Sequence, residues 1–295
     1  MESIREKINS TGKKLSKIKK NNLLYLIITQ PDIYFLKLFF RTLSIGVVTL
    51  ILSLIYIHTE LHNTVKIPTA MHGLIGFVLG LLLVFRTNTA YDRWWEGRKS
   101  ISSISTAISF FCIKLKASID NKESIEYKDG LKIIKENLSG FLINLKTYLV
   151  HTEDVHVFHV SDSFHKLQMK YMLNVLVSLH KMDKDGLIAS REVSMLENSV
   201  KDLLEHSNSC ERIKNTPIPV AYALHIKISI LIYLLTLPFG LFYDMGVWST
   251  PVIMLVYYLI AGIDIISNEI ENPFAGDPND LPVEALVDSI IGSID

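Results

Sequence analysis

Four long apolar runs constrain the fold of this chain more than any other feature of its sequence. They carry no Asp, Glu, Lys or Arg and span residues 42–57, 67–85, 228–243 and 245–263. A helix needs about 20 residues to cross roughly 30 Å of hydrocarbon. The second and fourth runs suffice alone, and the other two suffice if Arg41 or Lys227 extends its charge to the membrane surface. The sequence therefore predicts four transmembrane helices rather than the buried core helices of a soluble protein.

Basic residues lie on one side of these runs. Residues 1–20 hold seven of them, further ones follow the second run and precede the third, and the two short loops on the other side hold only Lys66. Because Lys and Arg concentrate in cytoplasmic loops, both termini and the middle of the chain are predicted to be cytoplasmic.

The polar middle of the chain has a helical pattern. Its apolar residues recur with a period near 3.6, and no convincing strand pattern is present, so the predicted fold class is all-α. The predicted organisation is a basic cytosolic segment (1–33), a first transmembrane hairpin (34–95), a cytosolic helical domain (96–220), a second transmembrane hairpin (221–268) and a cytosolic tail (269–295).

The second apolar run carries two distinct faces on a helical wheel. These are a small-residue face of Gly73, Gly76 and Gly80, and an apolar stripe of Ala70, Leu74 and Val78. The glycines fall within about 60° of one another, and the stripe lies roughly 100° away. Identical helices around an axis could pack through the glycines and enclose a dry constriction with the stripe. Ordinary bundle-packing and lipid-facing faces would give the same pattern.

The segment that follows this run, residues 85–99 (FRTNTAYDRWWEGRK), is dense in charged and aromatic side chains. A juxtamembrane belt accounts for the tryptophans and the last two basic residues. It does not account for the polar groups interleaved among them, which could satisfy Arg86 and Arg93 inside a protein interface. The predicted interface motif is Asn88, Tyr91, Asp92, Arg93 and Glu96.

Three segments together resemble the bacterial branch of the bestrophin-like family: 85–99, 210–225 (CERIKNTPIPVAYALH) and 271–282 (ENPFAGDPNDLP). The resemblance covers about residues 20–295. It implies a homopentameric ion channel of a bacterial inner membrane, in which each subunit contributes four membrane helices, one of them lining the pore, and a cytosolic helical domain. Animal members conduct anions and bacterial relatives can favour monovalent cations; we expect a cation such as sodium rather than chloride.

The resemblance also implies two constrictions. The neck falls on the stripe of Ala70, Leu74 and Val78, with Ile67, Met71 and Ile75 as the alternative register. The second constriction should lie within 187–196, where Glu192 is the candidate, and a ring of carboxylates there would favour cations. His72 departs from the family's usual apolar residue; it is either packed in the chain or faces the pore, where it would add pH sensitivity.

The third matching segment raises the question of calcium. Animal members of the family bind calcium here, and the corresponding residues are Glu269, Asn272, Asp277 and Asp280. Calcium prefers six to eight oxygen ligands with several carboxylates, and this chain lacks a dense acidic run. The alternative is a structural turn that docks the tail on a neighbouring subunit.

No catalytic or nucleotide-binding motif is present, so we expect no enzyme activity, no other cofactor and no nucleic-acid partner. The expected partners are further copies of the chain, the bilayer and monovalent ions. A non-conducting structural or regulatory membrane protein, an anion-selective channel and a transporter are the alternatives.

Overall fold

The computed structural model describes residues 33–59, 68–118, 125–151, 157–277 and 279–294, and the regular structure in these ranges is entirely helical. The elements are α1 (Ile33–His58), α2 (Thr69–Ala117), α3 (Ile125–His151), α4 (Val157–Lys184), α5 (Ser190–Asn215), α6 (Val220–Met245), a 3-10 turn (Gly246–Trp248), α7 (Ser249–Glu271) and α8 (Val283–Ile291). The predicted all-α class is confirmed. Apart from its last residue, the basic segment predicted at 1–33 lies outside the described ranges.

Three helical stretches within the described ranges are long and apolar enough to cross a membrane: Leu36–His58, Thr69–Ala117 and Val220–Glu271. The third contains α6, the 3-10 turn and α7, so the third and fourth apolar runs lie on separate helices. Gly246 opens the turn with φ of +54°, a conformation that costs glycine little. The apolar windows of the three stretches are only 28%, 22% and 11% buried, so most of their surface faces something outside this chain.

The chain divides into two compact units, Met1–Gly73 with Tyr233–Gly262, and Leu74–Ile232 with Ile263–Asp295. Within the first unit, α1 packs closely on α7. A Cβ atom on Gly46 would collide with the Met254 side chain, and one on Gly262 would lie 3.4 Å from Leu38. Because the position in α7 rises as the position in α1 falls, the two helices are antiparallel.

The second unit has a hydrophobic core to which the C-terminal half of α2 contributes. Buried side chains of α2 recur every three or four residues, at Ile101, Ile104, Ile108, Phe111 and Leu115. This spacing is that of a helix with one buried face. Since α2 is continuous across residue 95, its apolar segment and the helical core are joined by one uninterrupted helix.

The other core helices are α3, α4, α5 and α8. Helices α3 and α4 pack through the stacked rings of Tyr148 and Phe164, whose centroids lie 3.9 Å apart. Lys214 of α5 donates from Nζ to the carbonyls of Tyr148 (2.5 Å) and Leu149 (2.8 Å), in the last turn of α3. These carbonyls have no partner within their own helix, so the lysine acts as a C-terminal cap.

Candidate functional site

The stripe predicted for the neck lies on the outer surface of the chain. Leu74 is 71% exposed and Val78 is 54% exposed, and Ala70 is also exposed. On the opposite side of α2, Leu79 and Leu83 are buried. The stripe is therefore available to an ion path, to lipid or to another subunit, and its role in a neck stays a prediction.

The exposed fractions of the side chains do not distinguish the alternative register of the neck from the first one. Met71 is 53% exposed and Ile75 is 46% exposed, while Ile67 lies outside the described residues. The most exposed large side chain of this part of α2 is Phe77, at 72%, which neither register includes.

His72 is packed inside the chain rather than on the exposed stripe. Its side chain is 3% exposed, and a Cβ atom on Gly240 of α6 would lie 2.8 Å from its Nδ1. The ring also lies 6.2 Å from the ring of Tyr233, between centroids. The glycine is needed for this close approach, and the packed alternative for His72 is the one observed.

Arg86 is completely buried where α2 meets α7. Its guanidinium forms an ion pair with Asp264 and donates to Asn268 Oδ1 at 2.5 Å. Glu271 Oε2 lies 3.8 Å from Nη2 and adds a second negative charge. A buried charge is tolerated only when it is paired in this way.

Arg93, two turns further along α2, holds the ends of two helices. It donates from Nε to the carbonyl of Glu271 at 2.9 Å and from Nη2 to the carbonyl of Ile213 at 2.6 Å. A third bond goes to the carbonyl of Thr216. The first two carbonyls belong to the last turns of α7 and α5, where carbonyls lack intrahelical partners and cations are favoured.

These contacts correct one expectation about the interface motif. Asn88 and Asp92 were expected to satisfy the arginines, but their side chains are exposed. The reason is helical geometry: residues 86 and 93 are seven apart and share a face, whereas 88 and 92 point to the other side of the helix. The partners of the arginines come instead from α5, the segment that follows it, and α7.

Of the two remaining motif residues, Glu96 has a partner within the chain and Tyr91 is largely exposed. Glu96 accepts a hydrogen bond from Arg212 at 2.6 Å, so it contacts α5 within the chain. Tyr91 is 53% exposed and stacks on Trp94 with 6.3 Å between ring centroids. The roles of Asn88, Tyr91 and Asp92 at a contact with another subunit stay predictions.

The tail packs on α2 of its own chain, and its docking on a neighbouring subunit stays a prediction. Trp94 Nε1 donates to the carbonyl of Asn279 at 3.1 Å. A Cβ atom on Gly97 would lie 3.1 Å from the Phe274 ring and 3.3 Å from Pro273. The absence of a side chain at Gly97 therefore lets the tail approach the helix, and Phe274 becomes buried against it.

The acidic residues of the tail form a hydrogen-bonded turn. Asp280 Oδ2 accepts from the backbone amides of Gly276 (2.7 Å) and Asp277 (2.8 Å), and Glu269 Oε2 accepts from the side-chain Nδ2 of Asn279 (2.6 Å). Burial raises the pKa of Asp280 to about 6; the two amides oppose this rise, and the charges of Asp277 and Glu269 add to it.

A calcium ion fits this turn poorly. Glu269 Oε1 and Asp280 Oδ1 are buried without a hydrogen-bond donor among the described residues, but the side chain of Asn272 is exposed. In the same part of the chain, no three His, Cys, Asp or Glu side chains gather closely enough to hold a metal ion. The arrangement favours the structural turn, and calcium binding stays a prediction of the resemblance.

Glu192 lies in the first turn of α5, after the bend at Gly186, and is partly exposed. Nothing in a single chain assigns it to a constriction.

The partners of Arg86 on α7 were missed by the sequence reasoning. One signal could have found the first of them, because Asp264 directly follows the fourth apolar run and a buried arginine requires an acid near it.

Comparison with known proteins places these features in a family. The description "Bacterial/Fungal Bestrophin protein" belongs to a family model that matches residues 16–295. Voltage-dependent anion channel-forming protein alr2987 of Nostoc sp. (strain PCC 7120) is 32% identical over 267 residues, covering 86% of this chain and 85% of that protein. The corresponding protein sll1024 of Synechocystis sp. (strain PCC 6803) is 31% identical over 242 residues, with 78% of each chain covered.

Solved structures share the same fold. The crystal structure of a bacterial bestrophin homologue from Klebsiella pneumoniae superposes with a TM-score of 0.76 and 22% sequence identity, covering 87% of this chain and 96% of that chain. At 22% identity the structural similarity supports the fold alone, and the family assignment rests on the family model and on the relatives that match in sequence. The chain belongs to the bacterial/fungal bestrophin family.

Proposed function

We propose that the chain is one subunit of a homopentameric ion channel whose neck is lined by the stripe of Ala70, Leu74 and Val78. The observation that carries this proposal is an apolar, exposed face on α2, a helix that Arg86 anchors just below the stripe. A membrane helix whose apolar stripe is largely exposed, and which a buried ion pair holds two turns further along, suits a rigid pore wall. An apolar neck gates by excluding water.

The proposed selectivity is for anions. Our sequence-based preference for cations gains no support, since the relatives at 32% and 31% identity are named as anion channel-forming proteins. A neck of uncharged side chains does not itself select the sign of an ion. A ring of ionised Glu192 side chains at a second constriction would oppose anions, so anion selectivity and that role for Glu192 exclude each other.

In the proposed topology each subunit crosses a bacterial inner membrane four times, and both termini lie in the cytoplasm. The support is the single-sided placement of basic residues and the separation of α6 from α7 by the turn at Gly246. Calcium is not required in this proposal, because the tail turn is held by its own hydrogen bonds.

The decisive experiment is the reversal potential of the purified protein in a planar bilayer under a NaCl gradient. A shift toward the chloride potential supports the proposal, and a shift toward the sodium potential restores the cation alternative and makes Glu192→Gln the next variant. Absence of current supports the non-conducting alternative. The double variant Leu74→Ala, Val78→Ala should raise the single-channel conductance, with Leu43→Ala on the exposed surface of α1 as the control.

A further inference from the structure

A buried carboxylate lies near the end of α5, where this helix packs against the N-terminal part of α4. The side chain of Glu211 is 10% exposed, and its Oε2 lies 3.0 Å from Nε2 of His165, whose side chain is 49% exposed. The other oxygen, Oε1, accepts a hydrogen bond from Nδ2 of Asn215 at 3.3 Å. The imidazole can therefore exchange protons with solvent, while the carboxylate that it contacts is largely shielded from solvent.

The contact between His165 and Glu211 belongs to a network that joins three helices. Asn215 Oδ1 accepts a hydrogen bond from the hydroxyl of Tyr148 in α3 at 3.0 Å. The ring of Tyr148 stacks on the ring of Phe164, which precedes His165 in α4. A change in the strength of the contact between α4 and α5 is therefore felt at the ends of α3 and α5 as well.

The other charged or titratable groups near this contact on α3, α4 and α5 have partners of their own. They are the pair of Asp162 and Lys166 in α4, the pair of Arg212 and Glu96, the phenol of Tyr148, and Lys214, which caps α3. Burial lowers the pKa of Lys214 to about 8, so this group keeps its proton below about pH 7.

We propose that His165 and Glu211 form a pH-dependent latch that fixes the N-terminal part of α4 to the end of α5. A histidine changes its charge between about pH 5 and pH 8. The imidazolium carries an N–H group on both nitrogens, so Nε2 always donates to the carboxylate, whereas the neutral ring carries only one N–H group and can leave Glu211 without this donor. A hydrogen bond between two charged groups is also roughly twice as strong as a neutral one.

The latch is tightest in acid and weakens as the pH rises. Because protonation strengthens the contact that opening breaks, opening becomes more favourable as the pH rises through the range in which histidine loses its proton. Since half of the imidazole surface is exposed and screened, we expect opening to increase about three- to fivefold between about pH 5 and pH 7. The next contact along α4, from Gln168 Nε2 to Ser207 Oγ at 2.6 Å, is buried and does not titrate, so it confines the opening to the residues before it.

The test is hydrogen exchange of the detergent-solubilised protein between about pH 5 and pH 7. In the wild type, the protection factors of the amides in 162–167, which remove the pH dependence of the intrinsic exchange rate, should fall about three- to fivefold over this range. His165→Gln and Glu211→Gln should each abolish the fall. His180→Gln is the matched control, because His180 makes the same contact with Glu197 on the same two helices, at 3.1 Å, but with a carboxylate that is 40% exposed.

Two results would overturn the latch. One is a constant protection factor of these amides in the wild type, and the other is a fall that persists in His165→Gln or that His180→Gln removes as well. Protection of the amides in 172–179, which lie beyond Gln168 in the buried part of α4, checks that each variant is folded.

The latch reaches α2 through Arg93, which donates to the carbonyl of Ile213 in the last turn of α5. This last step rests on the proposed function: the open probability in a planar bilayer should depend on cytoplasmic pH in the wild type and not in His165→Gln, with the reversal potential unchanged. A current that is independent of pH would overturn this step alone. If the wild-type protein carries no current, the exchange measurement still decides the latch, so failure of the channel proposal and failure of the latch are distinguishable.

Discussion

Replacing Arg86 by methionine should be among the most destabilising single changes in the chain. Arg86 is fully buried, and its removal leaves Asp264 without its cation and Asn268 Oδ1 without its donor. Breaking a buried ion pair from one side costs about 3–5 kcal/mol. Since the Asp264 side chain retains 21% exposure, water can reach part of it, and we expect the lower end, about 3 kcal/mol.

The assay is urea unfolding of the detergent-solubilised protein, followed by circular dichroism, for Arg86→Met, Asp264→Leu and the double variant. The double variant should be less destabilised than Arg86→Met, because it leaves no unpaired charge. Arg212→Met is the matched control: its pair with Glu96 is exposed, 64% and 45%, and should contribute less than about 1 kcal/mol. Equal effects of Arg86→Met and Arg212→Met, or strict additivity in the double variant, would refute the reasoning.

Three further predictions concern the polar helical part of the chain. Burial lowers the pKa of Lys214 to about 8, so as the pH rises the folded chain releases this proton before the unfolded chain does. The free energy of unfolding should therefore rise with pH above about 8. Lys214→Met should flatten that rise, measured by thermal unfolding. The pKa of Asp280 is raised to about 6, so its contribution runs the other way: the protection factors of the amides in 283–291, which remove the pH dependence of the intrinsic exchange rate, should rise as pH falls through about 6, and Asp280→Asn should abolish that rise. Gly97→Val should lower the free energy of unfolding by about 1–3 kcal/mol, because the new side chain pushes Phe274 away. The tail should then be cleaved faster by a protease, and an unchanged rate of cleavage would contradict the packing of the tail on α2.

Several features were predictable from the sequence because they are local. Hydropathy over a run of residues identified the membrane helices, and the 3.6-residue repeat identified the polar ones. The turn at residues 183–186 (DKDG), before α5, was also predictable from its composition, and Gly186 adopts φ of +72° there. The motif of residues 85–99 was recognised as structural rather than as a simple membrane belt, because its polar residues exceed what a belt needs.

What only the tertiary structure decided is which side chains meet. The acid that neutralises Arg86 lies 178 residues further along the chain, on a helix whose rotation about its own axis is set by packing rather than by local sequence. The same holds for the tail, which packs on α2 of its own chain because Gly97 leaves room for Phe274. Sequence alone determined the helices, the membrane class and the family resemblance. Tertiary packing determined the partners of the buried charges, because a desolvated charge is stabilised by groups near it in space, whatever their distance along the chain.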